Sequence, residues 1–253
     1  MNNKKKVEFE IKNLLKIAAA LLFWLAAWTA LYFAVGKDYI IPSPLQVAAA
    51  FWQLLISGEF WQALGITLLR VIAGLTLSFV LALISSFLAY HISFFRIILD
   101  GITNFFKAVP VMSIIMIVIL WLTSGLVPVF VCFLMCFPVI YTNLMSGADS
   151  VPDKYIDEMR LYTGSNIQKY TRIILPMSRP HIKTALQLSG GLSWKTVIAA
   201  EVLSSPKVSM GVQLLLSKTY FEADKLFAWT IAIVIASVIF TRLLRFALRG
   251  ISD

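Results

Sequence analysis

The chain has 253 residues, 59% of them hydrophobic and 14% charged, with a mean hydropathy of +0.83; such values exclude an ordinary soluble domain and point to an integral membrane protein. The formal charge of +9 does not indicate nucleic acid, because the Lys and Arg residues fall at the ends of apolar runs and form no cluster with aromatics. Anionic lipid head groups and the cytoplasmic surface of another subunit are the expected partners of that charge.

The amino terminus, with Lys4, Lys5 and Lys6 ahead of an apolar run, imitates a signal peptide. The run over 14–35 is longer than the usual signal core and no small-x-small cleavage site follows, so it is expected to be a retained first span with the amino terminus inside. Over 40–61, Pro42-Ser43-Pro44 precedes Val47, Phe51, Trp52, Leu54 and Leu55 at helical spacing, which predicts an amphipathic helix along the outer interface. A second span is predicted over 65–90, with Arg70 near its outer end reaching for head groups. The third, over 97–123, contains Lys107 and is expected to kink at Pro110. The fourth, over 126–145, holds Pro128, Pro138, Asn143 and two cysteines, Cys132 and Cys136. With no His or carboxylate beside them in sequence, these thiols read as small buried hydrophobes and imply no disulfide framework.

A polar passage follows over 149–182. Lys154, Arg160, Lys169, Arg172 and Arg179 make it basic, which places it on the cytoplasmic side. Pro152 can start a helix, Asp153 puts negative charge in its first turn, and Tyr155, Ile156, Met159 and Tyr162 recur at three and four residues. Thr163-Gly164 ends that helix, and a second helical run over 167–175 meets Pro176. Two short amphipathic helices against the inner face of a membrane domain are the expectation. The fifth span, over 183–203, carries Ala185, Ser189 and Ser193 at the spacing that lets helices approach closely. The sixth, over 226–248, ends in Arg242, Arg245 and Arg249 and puts the carboxyl terminus inside. Six spans with both termini inside result, and the whole chain, 1–253, reads as one membrane domain.

No phosphate-cradling loop is encoded. Leu188-Ser189-Gly190-Gly191-Leu192 imitates an ATPase signature, but it lies inside a predicted span, where small residues serve helix contact. Hydrolytic motifs are missing as well, and His91 and His181 fall at membrane edges. Ionisable groups inside spans are costly and usually face a cavity or partner. Lys195 and Glu201 qualify, with Asn143 and Lys107 weaker. Six residues apart, Lys195 and Glu201 differ by about 120° around the helix. Each is therefore read either as lining a solute path or as bonding to a neighbouring helix.

The polar passage resembles the cytoplasmic EAA loop of ABC-importer permeases. Ile173, Leu175 and Pro176 match the distal Ile-x-Leu-Pro; Asp157 and Thr163 fall at the usual Glu and Gly, with Glu158 and Gly164 one place later. Pro42-Ser43-Pro44, Thr67-x-x-Arg70-x-x-x-Gly74, the passage from Asn143 to Pro152 and Ala199-Ala200-Glu201-Val202 are similar to permeases of the nitrate/sulfonate/taurine group. Trp194-Lys195 and Leu226-Phe227-Ala228-Trp229 resemble a branch that includes suspected carriers of thiamine-precursor pyrimidines.

The resemblance implies an all-α membrane protein of type I importer architecture, with about six transmembrane helices and a cytoplasmic coupling helix. Tyr155, Asp157, Glu158, Arg160, Thr163, Gly164, Leu175 and Pro176 would contact the ATPase. It further implies a homodimer in the bacterial plasma membrane, a pair of ATPase subunits carrying ATP and Mg, and an extracytoplasmic solute-binding protein. This chain would itself hold no cofactor and catalyse no reaction. The solute would be small and polar or anionic. The rival reading is a secondary transporter driven by an ion gradient.

Overall fold

The computed structural model describes residues 3–152, 154, 155, 157 and 165–251 of the chain. Every regular element among them is helical. The chain divides into two compact units, Met1–Ser57 with Gln213–Ala232 and Gly58–Val212 with Ile233–Asp253.

In the first unit, α1 (Asn3–Val35) contains the apolar stretch Ala18–Val35. It ends at Gly36, whose φ of 61° and N–H bond to the Tyr32 carbonyl make a left-handed terminator that needs no Cβ. α2 (Pro44–Ile56) begins where the sequence marks it. Ser43 Oγ accepts from the Gln46 N–H at 3.2 Å, Gln46 Oε1 accepts from the Ser43 N–H at 2.7 Å, and Pro44 occupies the first turn. The Trp28 indole donates to the Pro42 carbonyl at 3.0 Å and its ring stacks on Phe227.

The second unit is built on α6 (Val127–Asp149), along which α3 (Gly58–His91) and α9 (Arg179–Ser204) both pack. More than half of the apolar stretch of α6 is buried. Close approach rests on small residues. A Cβ on Gly74 would lie 2.7 Å from Cys132 Cβ and Sγ, and one on Gly147 would lie 2.8 Å from Ser178 Cβ. Ala185, Ser189 and Ser193 are all fully buried, and Cys136 Sγ donates to the Ser189 carbonyl at 3.6 Å. Gly190, inside the signature-like run, is filled from outside by Leu244. That stretch is helix-packing surface.

The predicted third span differs from expectation. It forms two helices, α4 (Ser93–Ala108) and α5 (Val111–Ile119), bent by 101°. Pro110 removes an N–H and forces the preceding Val109 into extended backbone, so a kink becomes a break. Ile114, Ile115 and Val118 of α5 then form a core with Val127, Val131 and Ala200. Between α6 and α9 lie α7 (Asn166–Lys169), a π-helical turn at Tyr170–Ile174 and α8 (Leu175–Met177). After α9 come α10 (Met210–Thr219), α11 (Ala223–Ala247) and a 3-10 turn at Leu248–Ile251.

Among the described residues, four helices can cross a membrane by length and composition, or five when the α4–α5 pair is one span. The sequence expectation was six. The difference is α9: at 26 residues it is about 39 Å long, ample for a bilayer, yet Arg179, Lys183, Lys195, Glu201 and its Gly and Ser residues make it less apolar than the others. Its small-residue stripe meets protein, so this face does not need to be apolar enough for lipid.

These contacts sort the glycines. Gly74→Val is expected to destabilise the chain by about 1–3 kcal/mol through overpacking. Gly191→Ala, whose Cβ meets nothing within 4 Å, is expected to melt at or slightly above the parent temperature in detergent. Thermal unfolding of the two purified variants checks the contrast.

Candidate functional site

Glu201 is fully buried near the end of α9. Thr67 and Arg70 stand one turn apart on α3, and both reach it. Thr67 Oγ1 lies 3.0 and 3.1 Å from the two carboxylate oxygens, and Arg70 Nη1 donates to Oε1 at 2.7 Å. The Gly211 N–H donates to Oε2 at 3.1 Å, the Met210 N–H donates to Thr67 Oγ1 at 3.1 Å, and Arg70 also donates to the Val208 carbonyl. A Cβ on Gly211 would stand 2.5 Å from Glu201 Cβ, so only glycine brings that backbone N–H so close. Ser205, at φ 46°, ends α9 in left-handed conformation and lets the chain double back. The carboxylate is satisfied on both oxygens and joins α3, α9 and the start of α10. Arg70 does not extend to head groups as the sequence suggested. Its side chain is 13% exposed and turned inward, because the buried carboxylate requires a counter-charge.

The polar passage makes a second junction. Tyr155 and Asp157 are exposed, the Tyr155 N–H donates to the Pro152 carbonyl, and the Lys154 ammonium sits 4.7 Å over the Tyr155 ring. Glu158, Arg160, Thr163 and Gly164 lie outside the described residues. Leu175 and Pro176 are half-buried. Pro176 cannot donate to Arg172, and the preceding turn widens, with the Leu175 N–H reaching the Tyr170 carbonyl; such π turns frequently mark working segments. Tyr170 and Ile174, one turn apart, are the anchors. They pack with Ala148 of α6 and with Phe87 and Tyr90 of α3. The Tyr170 hydroxyl shares a 2.7 Å hydrogen bond with Ser86, and burial pushes its pKa above the usual phenol range, so it stays protonated.

Asp149, where the passage begins, receives Arg96 of α4 in a two-pronged contact at 3.0 and 2.6 Å. Asp100 accepts from the Tyr141 hydroxyl at 3.1 Å. The basic segment is therefore fastened to α3 and α6 through Tyr170 and Ile174, and its entry to α4 through Asp149.

Residues 75–253 match the family of binding-protein-dependent transport system inner membrane components. The chain belongs to that family. It is similar to a probable ABC transporter permease protein of Brucella melitensis, 27% identical over 95% of this chain and 96% of the relative. A putative aliphatic sulfonates transport permease of Escherichia coli is 28% identical over 73% of this chain and 70% of its own. The nitrate import permease of a Synechocystis strain is 27% identical over 76% and 72%. The chain is an ABC-importer permease of the nitrate/sulfonate group, all-α and of the type I kind.

The permease separates the other sequence candidates. Lys195 is exposed and makes no hydrogen bond or ion pair among the described residues. It shares an open face of α9 with Thr184, Leu188 and Gly191. The Asn143 amide donates back to the Val139 carbonyl at 2.8 Å within its own helix, and Lys107 Nζ reaches Thr142 Oγ1 at 3.3 Å. No hydrogen bond or ion pair links Lys195, Glu201 and Asn143. Sequence reasoning passed over Tyr170 and the Arg96–Asp149 contact. The spacing of Tyr170 and Ile174 was the available signal for the first; nothing local marks the second.

Removing one partner of the Arg70–Glu201 pair leaves a buried charge. Arg70→Met is expected to lose about 3–5 kcal/mol, and Arg70→Met with Glu201→Leu to regain most of it. Equal melting losses in the single and double variants, measured in detergent, would contradict a charge-pairing role.

Proposed function

We propose that two copies of this permease, each working as one domain over 1–253, form the translocation path of an ATP-driven importer for a small polar or anionic solute. An extracytoplasmic solute-binding protein delivers the solute, and a pair of cytoplasmic ATPase subunits holds ATP and Mg. Both termini and the segment over 149–182 face the cytoplasm, in keeping with the basic residues there. The observation that carries this reading is the fastening of the basic inner segment, through Tyr170, Ile174 and Asp149, to the ends of three membrane helices. A segment exposed at Tyr155 and Asp157, but anchored there, acts as a lever.

ATP binding closes the ATPase pair, whose groove carries Tyr155, Asp157, Glu158, Arg160, Thr163 and Gly164, with Leu175 and Pro176 at the hinge. The displacement turns α3, α4 and α6 between inward-open and outward-open arrangements. This requires ATP to favour one of the two arrangements.

We assign Lys195, Glu201 and Asn143 to the path. A cation exposed part-way along α9 is costly against hydrocarbon, which favours a watery passage or the second copy opposite Lys195. Glu201 contributes by holding α3 to α9. The relatives named for aliphatic sulfonates and nitrate support an anion as the solute.

Proteoliposomes containing the permease, ATPases and binding protein test the reading. Asp157→Lys and Arg160→Glu are each expected to retain most ATPase activity while uptake falls at least tenfold; full coupling in both rejects the lever. Uptake abolished by a protonophore at constant ATP favours the ion-gradient rival. Lys195→Gln is expected to raise KM for an anionic solute about tenfold or more, the worth of one charged hydrogen bond. An unchanged KM removes Lys195 from the path.

A further inference from the structure

The end of α11 carries a feature that transport does not use. Phe240, Leu244 and Leu248 recur every fourth residue on the side that meets α9. Leu244 fills the space at Gly190, Phe240 packs edge-on against Trp194 with centroids 6.0 Å apart, and Leu248 is buried. Among the described residues the opposite side has no such cover. There Ile239, Arg242, Leu243, Arg245, Phe246 and Arg249 border a groove of about 410 Å³. Ile239, Leu243 and Phe246 are 52–68% exposed, and they extend an outward apolar stripe that begins at Val234, Ile235 and Val238. The Arg249 guanidinium lies over the Phe246 ring at 5.5 Å, which holds one edge of the basic rim.

We propose that this groove binds an anionic phospholipid, with the phosphate diester among Arg242, Arg245 and Arg249 and the acyl chains along Phe246, Leu243 and Ile239. Charge complementarity selects the anion, since guanidinium groups pair with phosphate in two-pronged fashion. The apolar stripe running continuously into the basic rim selects an amphiphile over a free ion. Free phosphate has no use for the stripe, and a soluble partner would leave the stripe uncovered at membrane depth. Clusters of Lys and Arg just beyond a membrane helix attract acidic lipid in general; here the shared groove and its apolar floor add a defined seat.

Native mass spectrometry of the purified full chain, titrated with phosphatidylglycerol or phosphatidylcholine, tests the proposal. The parent is expected to retain phosphatidylglycerol in preference to phosphatidylcholine. Arg242→Gln, Arg245→Gln and Arg249→Gln together should weaken that retention by more than tenfold, at roughly fivefold per arginine, with phosphatidylcholine unchanged. A second variant, Leu243→Ala with Phe246→Ala, keeps Arg242, Arg245 and Arg249 and should also reduce retention of phosphatidylglycerol several-fold. The proposal is overturned if both variants retain phosphatidylglycerol like the parent, if the two lipids are lost equally, or if equimolar inorganic phosphate displaces the lipid. A triple variant that changes only subunit stoichiometry would assign the face to a second copy and overturn it as well.

Discussion

A carboxylate removed from water must find donors for both oxygens or give up its charge, and Glu201 sets that condition for the larger unit. Meeting it dictates several otherwise unrelated choices. Thr67 and Arg70 must share one face of α3. Position 211 must lack a Cβ, and α9 must end in a left-handed residue so that Met210 and Gly211 return to the same place. The result is a three-way tie between α3, α9 and the start of α10 in which both carboxylate oxygens accept hydrogen bonds. Ties of this kind add little net stability by themselves, because desolvation of both charges offsets their attraction.

The same helix, α3, carries both junctions. Arg70 and Ser86 are sixteen residues apart, about 24 Å along a continuous helix. Ser86 meets Tyr170 of the basic segment and Arg70 meets Glu201. A continuous helix is a rigid element, so the two junctions are held at a fixed separation. The broken α4–α5 pair supplies the complementary property: a 101° bend at Val109–Pro110 lets its two arms meet different partners, Asp149 on one side and the Val127–Ala200 core on the other.

Packing in this unit follows the logic of a membrane interior, where lipid is as apolar as leucine and association depends on close approach. Gly74 against Cys132, Gly147 against Ser178 and Gly190 against Leu244 are three such approaches. The third lies on α9, where Ser189, Gly190 and Ser193 touch protein and therefore need not be soluble in hydrocarbon.

Much was legible in the sequence because the signals were local. The first helix of the polar region after Pro42-Ser43-Pro44, the apolar stretches of α1, α3, α6 and α11, and the small-residue stripe of α9 each follow from spacing within one segment. Local periodicity also located the second run of the polar passage. What the sequence could not decide were relations between segments. Thr67, Arg70 and Glu201 stood in two motifs more than 130 positions apart, and only the fold brought their side chains within hydrogen-bonding distance, turning Arg70 inward. Pro110 announced a bend, but its size depended on the separate partners that α4 and α5 found. Lys195 and Glu201 looked alike as charges within a helix; burial then satisfied one and exposed the other. Hydrophobic period and turn chemistry act over a few residues and determined the elements, whereas the pairing of buried charge acts across the chain, and the tertiary structure alone decided it.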